Sequence, residues 1–296
     1  MMSPISHVIF IHGISNKPAP NELKRIWLEA LSELREDSSG FDLAAAGVKS
    51  TFIYWADLFY DTPLSPGDYE STSDDFSDGL SSNLELDDDP WTQKMLEHFP
   101  ITDEDTFDAV TVKSGVEGYK RIPLPWVVKK IIIKRLLKEV HDYLFNVGGV
   151  RKTIRSRVVS ALNNAKSDGR VVLVGHSQGS IIAYDVLTCE SLDCPEIDSF
   201  MTFGSPLGID EVQDKLSWNR ENGFPGKVKG DWVNIYDSGD LVSKLDARLS
   251  DDFKKNGNKV IVDIKENSWG AWRHSATKYL KGAILREHLE KMARGN

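Results

Sequence analysis

Between Arg170 and Ala183 the chain reads Arg-Val-Val-Leu-Val-Gly-His-Ser-Gln-Gly-Ser-Ile-Ile-Ala. An uninterrupted, mostly β-branched segment ends at Gly175, and an apolar pattern with helical spacing begins just after Ser177. A buried strand must therefore become a buried helix within five residues, Gly175 to Gly179. So sharp a turn forces its central residue into a strained backbone conformation, which is why residues without bulk stand two positions to either side. The strain pushes the Ser177 hydroxyl out of the sheet, at the N-terminus of a helix whose dipole favours developing negative charge.

Strands and helices alternate over most of the chain. Six short apolar runs read as strands: His7 to Ile11, Thr51 to Trp55, Val171 to Val174, Phe200 to Phe203, Trp232 to Tyr236 and Val260 to Ile264. Most are continuously apolar, as expected of strands covered on both faces. Leu23, Ile26, Trp27, Ala30, Leu31 and Leu34 repeat at helical spacing after Asn21, which fits an N-cap. A second helix follows Ser177, and a last one is expected from about Thr277 to Met292. This order implies an α/β fold: a mostly parallel twisted sheet of about six strands, with helices on both faces. Ligands of such sheets bind at the carboxyl ends of the strands, where Ser177 falls.

The interval 58–164 interrupts the alternation and reads as an insertion within one domain spanning 1–296. Its first part is acidic and poor in apolar residues, with Asp68, Glu70, Asp74, Asp75, Asp78, Glu85 and Asp87 to Asp89. That composition predicts a solvated segment without a recognisable calcium-loop pattern. Its second part, Pro125 to Asn146, predicts an amphipathic helix. One stripe carries Ile133, Leu136, Leu137, Val140 and Leu144, and another carries Lys130, Lys134, Lys138 and His141. The expected role is core packing with a solvated basic face. The sharper alternative is a lid, or a peripheral membrane contact through Lys130, Lys134 and Lys138.

Composition narrows the classes. At 296 residues and a net charge of -9, the chain has room for a substantial core but lacks the basic balance of a general nucleic-acid binder. No apolar run is long enough to span a bilayer, and the first residues lack a secretory pattern, so a cytoplasmic location is expected. Two cysteines, Cys189 and Cys194, are too few for a disulfide framework and lack the spacing of a zinc site. No metal or organic cofactor is expected.

The segment Gly175-His-Ser-Gln-Gly179 resembles the nucleophile elbow of the α/β-hydrolase superfamily, in particular of bacterial lipase- and esterase-like members. That resemblance implies Ser177 as nucleophile, followed in the chain by an acid and then a histidine. Two histidines follow Ser177. His288 falls in the terminal helix beside Glu287 and Glu290, whereas His274 lies in a loop-like segment after the last strand and is the expected general base. The acid belongs after the strand Trp232 to Tyr236, where Asp237 and Asp240 both stand. Asp240-Leu-Val-Ser243 is similar to the family's acid-bearing stretch, so Asp240 is the first candidate and Asp237 the alternative. Phe10-Ile-His-Gly-Ile14 looks like the family's His-Gly segment, and Thr202-Phe-Gly-Ser-Pro-Leu-Gly208 like a loop of its lipase-like members. The resemblance implies an oxyanion hole from the backbone amides of Ile14 and Gln178, with His12 bracing the loop.

The activity so implied is cleavage of a small-molecule or lipid carboxylic ester through an acyl-enzyme. A lipase or phospholipase at membranes, an amidase or peptidase with the same groups, and a non-catalytic scaffold are the alternatives. Trp55, Phe59, Tyr60, Trp126, Trp269 and Trp272 are candidates for an apolar acyl pocket, or simply core.

Overall fold

The computed structural model describes residues 6–69, 89–97, 134, 137–268 and 273–295. Six strands form one sheet: β1 (His7–Ile11), β2 (Lys49–Ile53), β3 (Val171–His176), β4 (Ser199–Phe203), β5 (Trp232–Tyr236) and β6 (Val262–Lys265). Their order is β2-β1-β3-β4-β5-β6, and every neighbouring pair is parallel. The three strands β1, β3 and β4 are buried at every residue, while the edge strands β2 and β6 are largely half-buried or exposed. This is why the inner strands are mostly apolar whereas Val262-Asp-Ile-Lys265 alternates.

Alternate residues of the inner strands feed two apolar layers. On one face Ile9, Ile11, Leu173 and Phe200 pack with helices on that side. On the other, Val8, Phe10, Val172, Val174, Met201 and Phe203 meet a second set. The helices are α1 (Pro20–Ser32), α2 (Pro90–Glu97), α3 (137–144), α4 (Val150–Ala165), α5 (Gln178–Thr188), α6 (Asp210–Gln213), α7 (Ala276–Leu280) and α8 (Ala283–Arg294). Leu23, Ile26 and Trp27 of α1 join Tyr279 of α7 and Leu289 of α8 on the second face. Leu137, Val140 and Tyr143 of α3, Ile154 and Val158 of α4, and Ile181 and Tyr184 of α5 cover the first.

The chain leaves β1 for the edge strand β2 and then returns past β1 to start β3. The direction of winding thus reverses between β1 and β3, and the loops that leave their carboxyl ends diverge there. A crevice opens at such a point in parallel sheets.

Three sequence expectations differ in detail. Asn21 caps nothing: Ala19 occupies the cap position without a side-chain bond, and Pro20 opens α1 with its fixed φ and missing donor. The expected single terminal helix is two, α7 and α8. Glu266 reaches in from beyond β6 to accept the amides of Ile284 and Leu285 at 3.0 and 3.1 Å, and only a glycine at 282 leaves it room. Third, Val150–Ala165, inside the interval read as an insertion, is a regular helix on the sheet. Its buried Val150, Ile154, Val158 and Leu162 stand four residues apart. Lys134 and residues 137–144 of the expected amphipathic helix are helical; Lys130 and the acidic run from 70 to 88 lie outside the described residues. Among the described residues no helix is long and apolar enough to cross a membrane.

Candidate active site

Ser177 sits between β3 and α5 with φ 53° and ψ -128°, a conformation that residues with a Cβ rarely adopt. The turn is enforced by close packing. A Cβ on Gly175 would stand 2.7 Å from the Cα of Ser180, and one on Gly179 would collide with the carbonyl of Ile11. Phe203 of β4 accepts the Ser177 amide at 3.1 Å. The amide of Gln178, as the first residue of α5, belongs to the group that has no acceptor within its own helix.

His274 lies in the segment leading into α7. Its Nε2 is 2.8 Å from Oγ of Ser177, and its Nδ1 is 2.9 Å from both carboxylate oxygens of Asp240. A carboxylate only accepts, so Nδ1 carries the proton and Nε2 is left to accept from the Ser177 hydroxyl. All three side chains are buried. Burial would push the Asp240 carboxyl up, but the His274 imidazole, the Val242 amide and the Tyr279 hydroxyl outweigh it and bring it to about 2. Asp240 is therefore ionised at any ordinary pH. The Val242 amide and the Tyr279 hydroxyl each reach it at 2.8 Å. At Gly204, in the segment after β4, a Cβ would stand 3.2 Å from both Asp240 and His274, so this loop closes over the pair.

The alternative acid, Asp237, is equally buried but faces elsewhere. It accepts from the Gly239 amide at 2.6 Å, from Arg273 at 3.1 Å, and from the amide and hydroxyl of Ser268 at 2.6 Å each. Ser268 and Arg273 lie just before His274 in sequence, so Asp237 fastens the segment that leads to the imidazole. His288 lies on α8, a different element.

Two further histidines brace the site. The ring of His12 stacks on Trp55 at 4.7 Å, accepts the Trp55 amide on Nε2 at 3.0 Å, and donates from Nδ1 to the Gly13 carbonyl at 2.8 Å. Burial, with the nearby Lys17 charge, lowers its pKa to about 3, so this tautomer stays neutral. His176 donates from Nε2 to the His274 carbonyl at 3.1 Å and stacks on Phe203. Burial and the adjacent His274 hold it well below the ordinary histidine value. Gly13 passes directly over the turn: a Cβ there would lie 2.6 Å from the Cβ of Ser177. The loop after β1 and the loop after β3 thus meet where the winding reverses.

The amide of Ile14 donates to no backbone carbonyl among the described residues. The other expected donor, Gln178, adjoins Ser177. Trp55, among the aromatics considered for an acyl pocket, is fully buried core, and Tyr60 bonds Glu139. Trp126, Trp269 and Trp272 lie outside the described residues. Hollows of about 530 Å³ beside β2 and about 370 Å³ at the amino ends of the strands do not touch Ser177. Tyr279, Glu139 and Lys17, which complete the surroundings, belong to no motif in the sequence. Among the described residues no cluster of His, Cys, Asp and Glu is arranged to hold a metal.

No family model and no curated protein matches the chain. Among solved structures, one titled "RedJ with PEG molecule bound in the active site" is similar over 99% of this chain and 90% of that one, at 11% identity and a TM-score of 0.38.

Proposed function

We propose that the chain is a serine hydrolase of the α/β-hydrolase type that cleaves carboxylic esters. The observation that carries this reading is the hydrogen-bonded series Asp240–His274–Ser177, ending on a strained serine at a helix N-terminus. A serine hydroxyl is a poor nucleophile until a base takes its proton, and a base held by a buried carboxylate is poised to do so. In this mechanism Ser177 Oγ bonds to the carbonyl carbon as its proton passes to Nε2 of His274. The carbonyl oxygen becomes an oxyanion held by the amides of Ile14 and Gln178. Collapse expels the alcohol, which takes the proton from His274, and leaves an acyl-serine. Water, deprotonated by His274, then releases the carboxylic acid and restores Ser177. Asp240 stays ionised and stabilises the imidazolium as it forms.

The same groups cleave amides, and comparing a short-chain ester with its matching amide separates the two. Action at membranes through Lys130, Lys134 and Lys138 draws less support, because Lys138 already donates to Asp142 at 3.0 Å on its own helix. A lack of stimulation by anionic vesicles would remove it. The decisive test of the main reading is labelling by a fluorophosphonate, with hydrolysis of a p-nitrophenyl ester measured alongside. Labelling of the wild type and none of Ser177→Ala is expected. An unlabelled wild type beside a labelled control esterase overturns the proposal.

A further inference from the structure

Two successive peptide units after β1 are fixed at every polar group but one. The carbonyl of Gly13 accepts from His12, and the carbonyl of Ile14 accepts from the ammonium of the buried Lys17. The amide of Ser15 donates to both carboxylate oxygens of Glu139, at 3.0 Å each. The remaining group is the amide of Ile14. In a trans peptide the carbonyl and the amide point in opposite directions, so fixing Gly13 O sets the direction of Ile14 N–H.

Ser15 has φ 73°, a conformation that a residue with a side chain keeps only when its surroundings impose it. Two side chains hold it there: Glu139 of α3 takes its amide, and Lys17 donates to its carbonyl at 3.1 Å. The Glu139 carboxylate is buried, which is tolerable only because donors surround it: the Ser15 amide and the Tyr60 hydroxyl, the latter at 2.6 Å. The backbone carbonyl of the same residue accepts the side-chain amide of Gln178 at 3.1 Å. Glu139 therefore touches both loops whose amides would receive an oxyanion, the one after β1 and the one after β3.

We propose that Glu139 is a positioning residue of the oxyanion hole, fixing the Ile14–Ser15 peptide beside the Gly13–Ile14 peptide that His12 orients, and that the hole is complete only while α3 is docked on the loop after β1. This rests on the ester-hydrolase reading above. Glu139 touches no reacting atom in this account; it acts through the Ile14–Ser15 peptide.

The test compares wild type, Glu139→Ala and Glu139→Gln on a p-nitrophenyl ester. Thermal unfolding is recorded for each, along with the inhibition constant of an aryl trifluoromethyl ketone, whose serine adduct carries an oxyanion. Glu139→Ala is expected to lower kcat by about a hundredfold with KM changed by no more than about threefold. The inhibition constant should rise by the same factor as kcat falls, since both report the oxyanion and KM does not. Glu139→Gln keeps one oxygen to accept the Ser15 amide and is expected to recover about tenfold of the loss, leaving kcat about tenfold below wild type. A purely structural role would lower the unfolding temperature without moving kcat and the inhibition constant together. A folded Glu139→Ala with kcat within about threefold of wild type overturns the proposal. So does an inhibition constant that stays put while kcat falls. If Glu139→Ala does not fold, Glu139→Gln decides alone: a matched change of at least about threefold in kcat and the inhibition constant supports the proposal, and anything less overturns it. Failure of the wild type itself to label or hydrolyse would overturn the parent reading and this one with it, whereas an active wild type beside an undiminished Glu139→Ala removes only this one.

Discussion

Asp185 and Asp240 are both buried carboxylates, each receives a tyrosine hydroxyl, and each is held below its ordinary pKa against the cost of burial. Asp185, on α5, takes Tyr143 at 2.7 Å and the guanidinium groups of Arg151 and Arg155. Asp240, after β5, takes Tyr279 at 2.8 Å and the imidazole of His274. The partners differ in one respect. Guanidinium has only donors and no acceptor, whereas an imidazole can accept a proton on one ring nitrogen while donating from the other. The first arrangement ties α3, α4 and α5 together; the second ends on a serine hydroxyl. Burial and charge pairing are thus shared by a structural knot and a candidate reaction centre, and only a partner able to exchange a proton tells them apart.

The largest effect is expected from removing the hydroxyl at the end of the second arrangement. Ser177→Ala should lower kcat by about a millionfold with little change in the unfolding curve. Asp240→Asn should lower kcat by about ten thousandfold, because the wrong tautomer of His274 then faces the serine. Asp185→Asn should instead leave kcat within a few-fold and cost about 3 kcal/mol of stability in urea titration, since it leaves two partly buried guanidinium groups short of their counter-charge. If Asp185→Asn abolished turnover while the fold stayed intact, the contrast would collapse.

The pH dependence of stability sharpens the contrast further. His12 and His176, which brace the Asp240 side, are held neutral in the fold with values below that of the unfolded chain. The unfolded chain then binds more protons, so stability falls as pH drops below about 6.5, by up to about 1.4 kcal/mol per unit for His12, with His176 acting in the same direction. The Asp185 cluster contains no imidazole. Its carboxylate, like Asp240, contributes stability that is present above about pH 4 and is lost only on further acidification. Urea titrations from pH 7 to pH 3 should resolve two phases, and His176→Gln should shrink the upper one. A single acid phase would contradict the burial of both rings. The smallest effects belong to the hydroxyls. Tyr143→Phe and Tyr279→Phe should each cost about 1 kcal/mol of stability, but only Tyr279→Phe should also lower kcat, by about tenfold.

Much of this contrast was legible beforehand. The Gly175 to Gly179 turn is legible because so tight a turn leaves a local signature, and chain order is what singles out Asp240 and His274 as its candidate partners. His274 meets both Ser177 and Asp240, and Asp237 braces its own turn. The unread parts are those settled by packing between distant segments. Glu139 stands among lysines on an amphipathic helix and looks solvated in sequence, yet Ser15 and Tyr60 bury it. Tyr279 shows nothing in sequence of its bond to Asp240. The break between α7 and α8 is imposed by Glu266, again from a different element. The helix α4 was a different case. Its four-residue spacing is present in the sequence, inside an interval that as a whole reads as an insertion.

The serine, imidazole and carboxylate come from three separate strand exits, 97 residues apart for the serine and imidazole and 34 for the imidazole and carboxylate. Individual strand-helix units can form from nearby contacts, but long closures of the chain come late. If the proposed activity holds, turnover regained during renaturation is expected to trail the return of helical signal, because it needs the final docking of the C-terminal segment. The centre acts as its own gauge of a finished sheet.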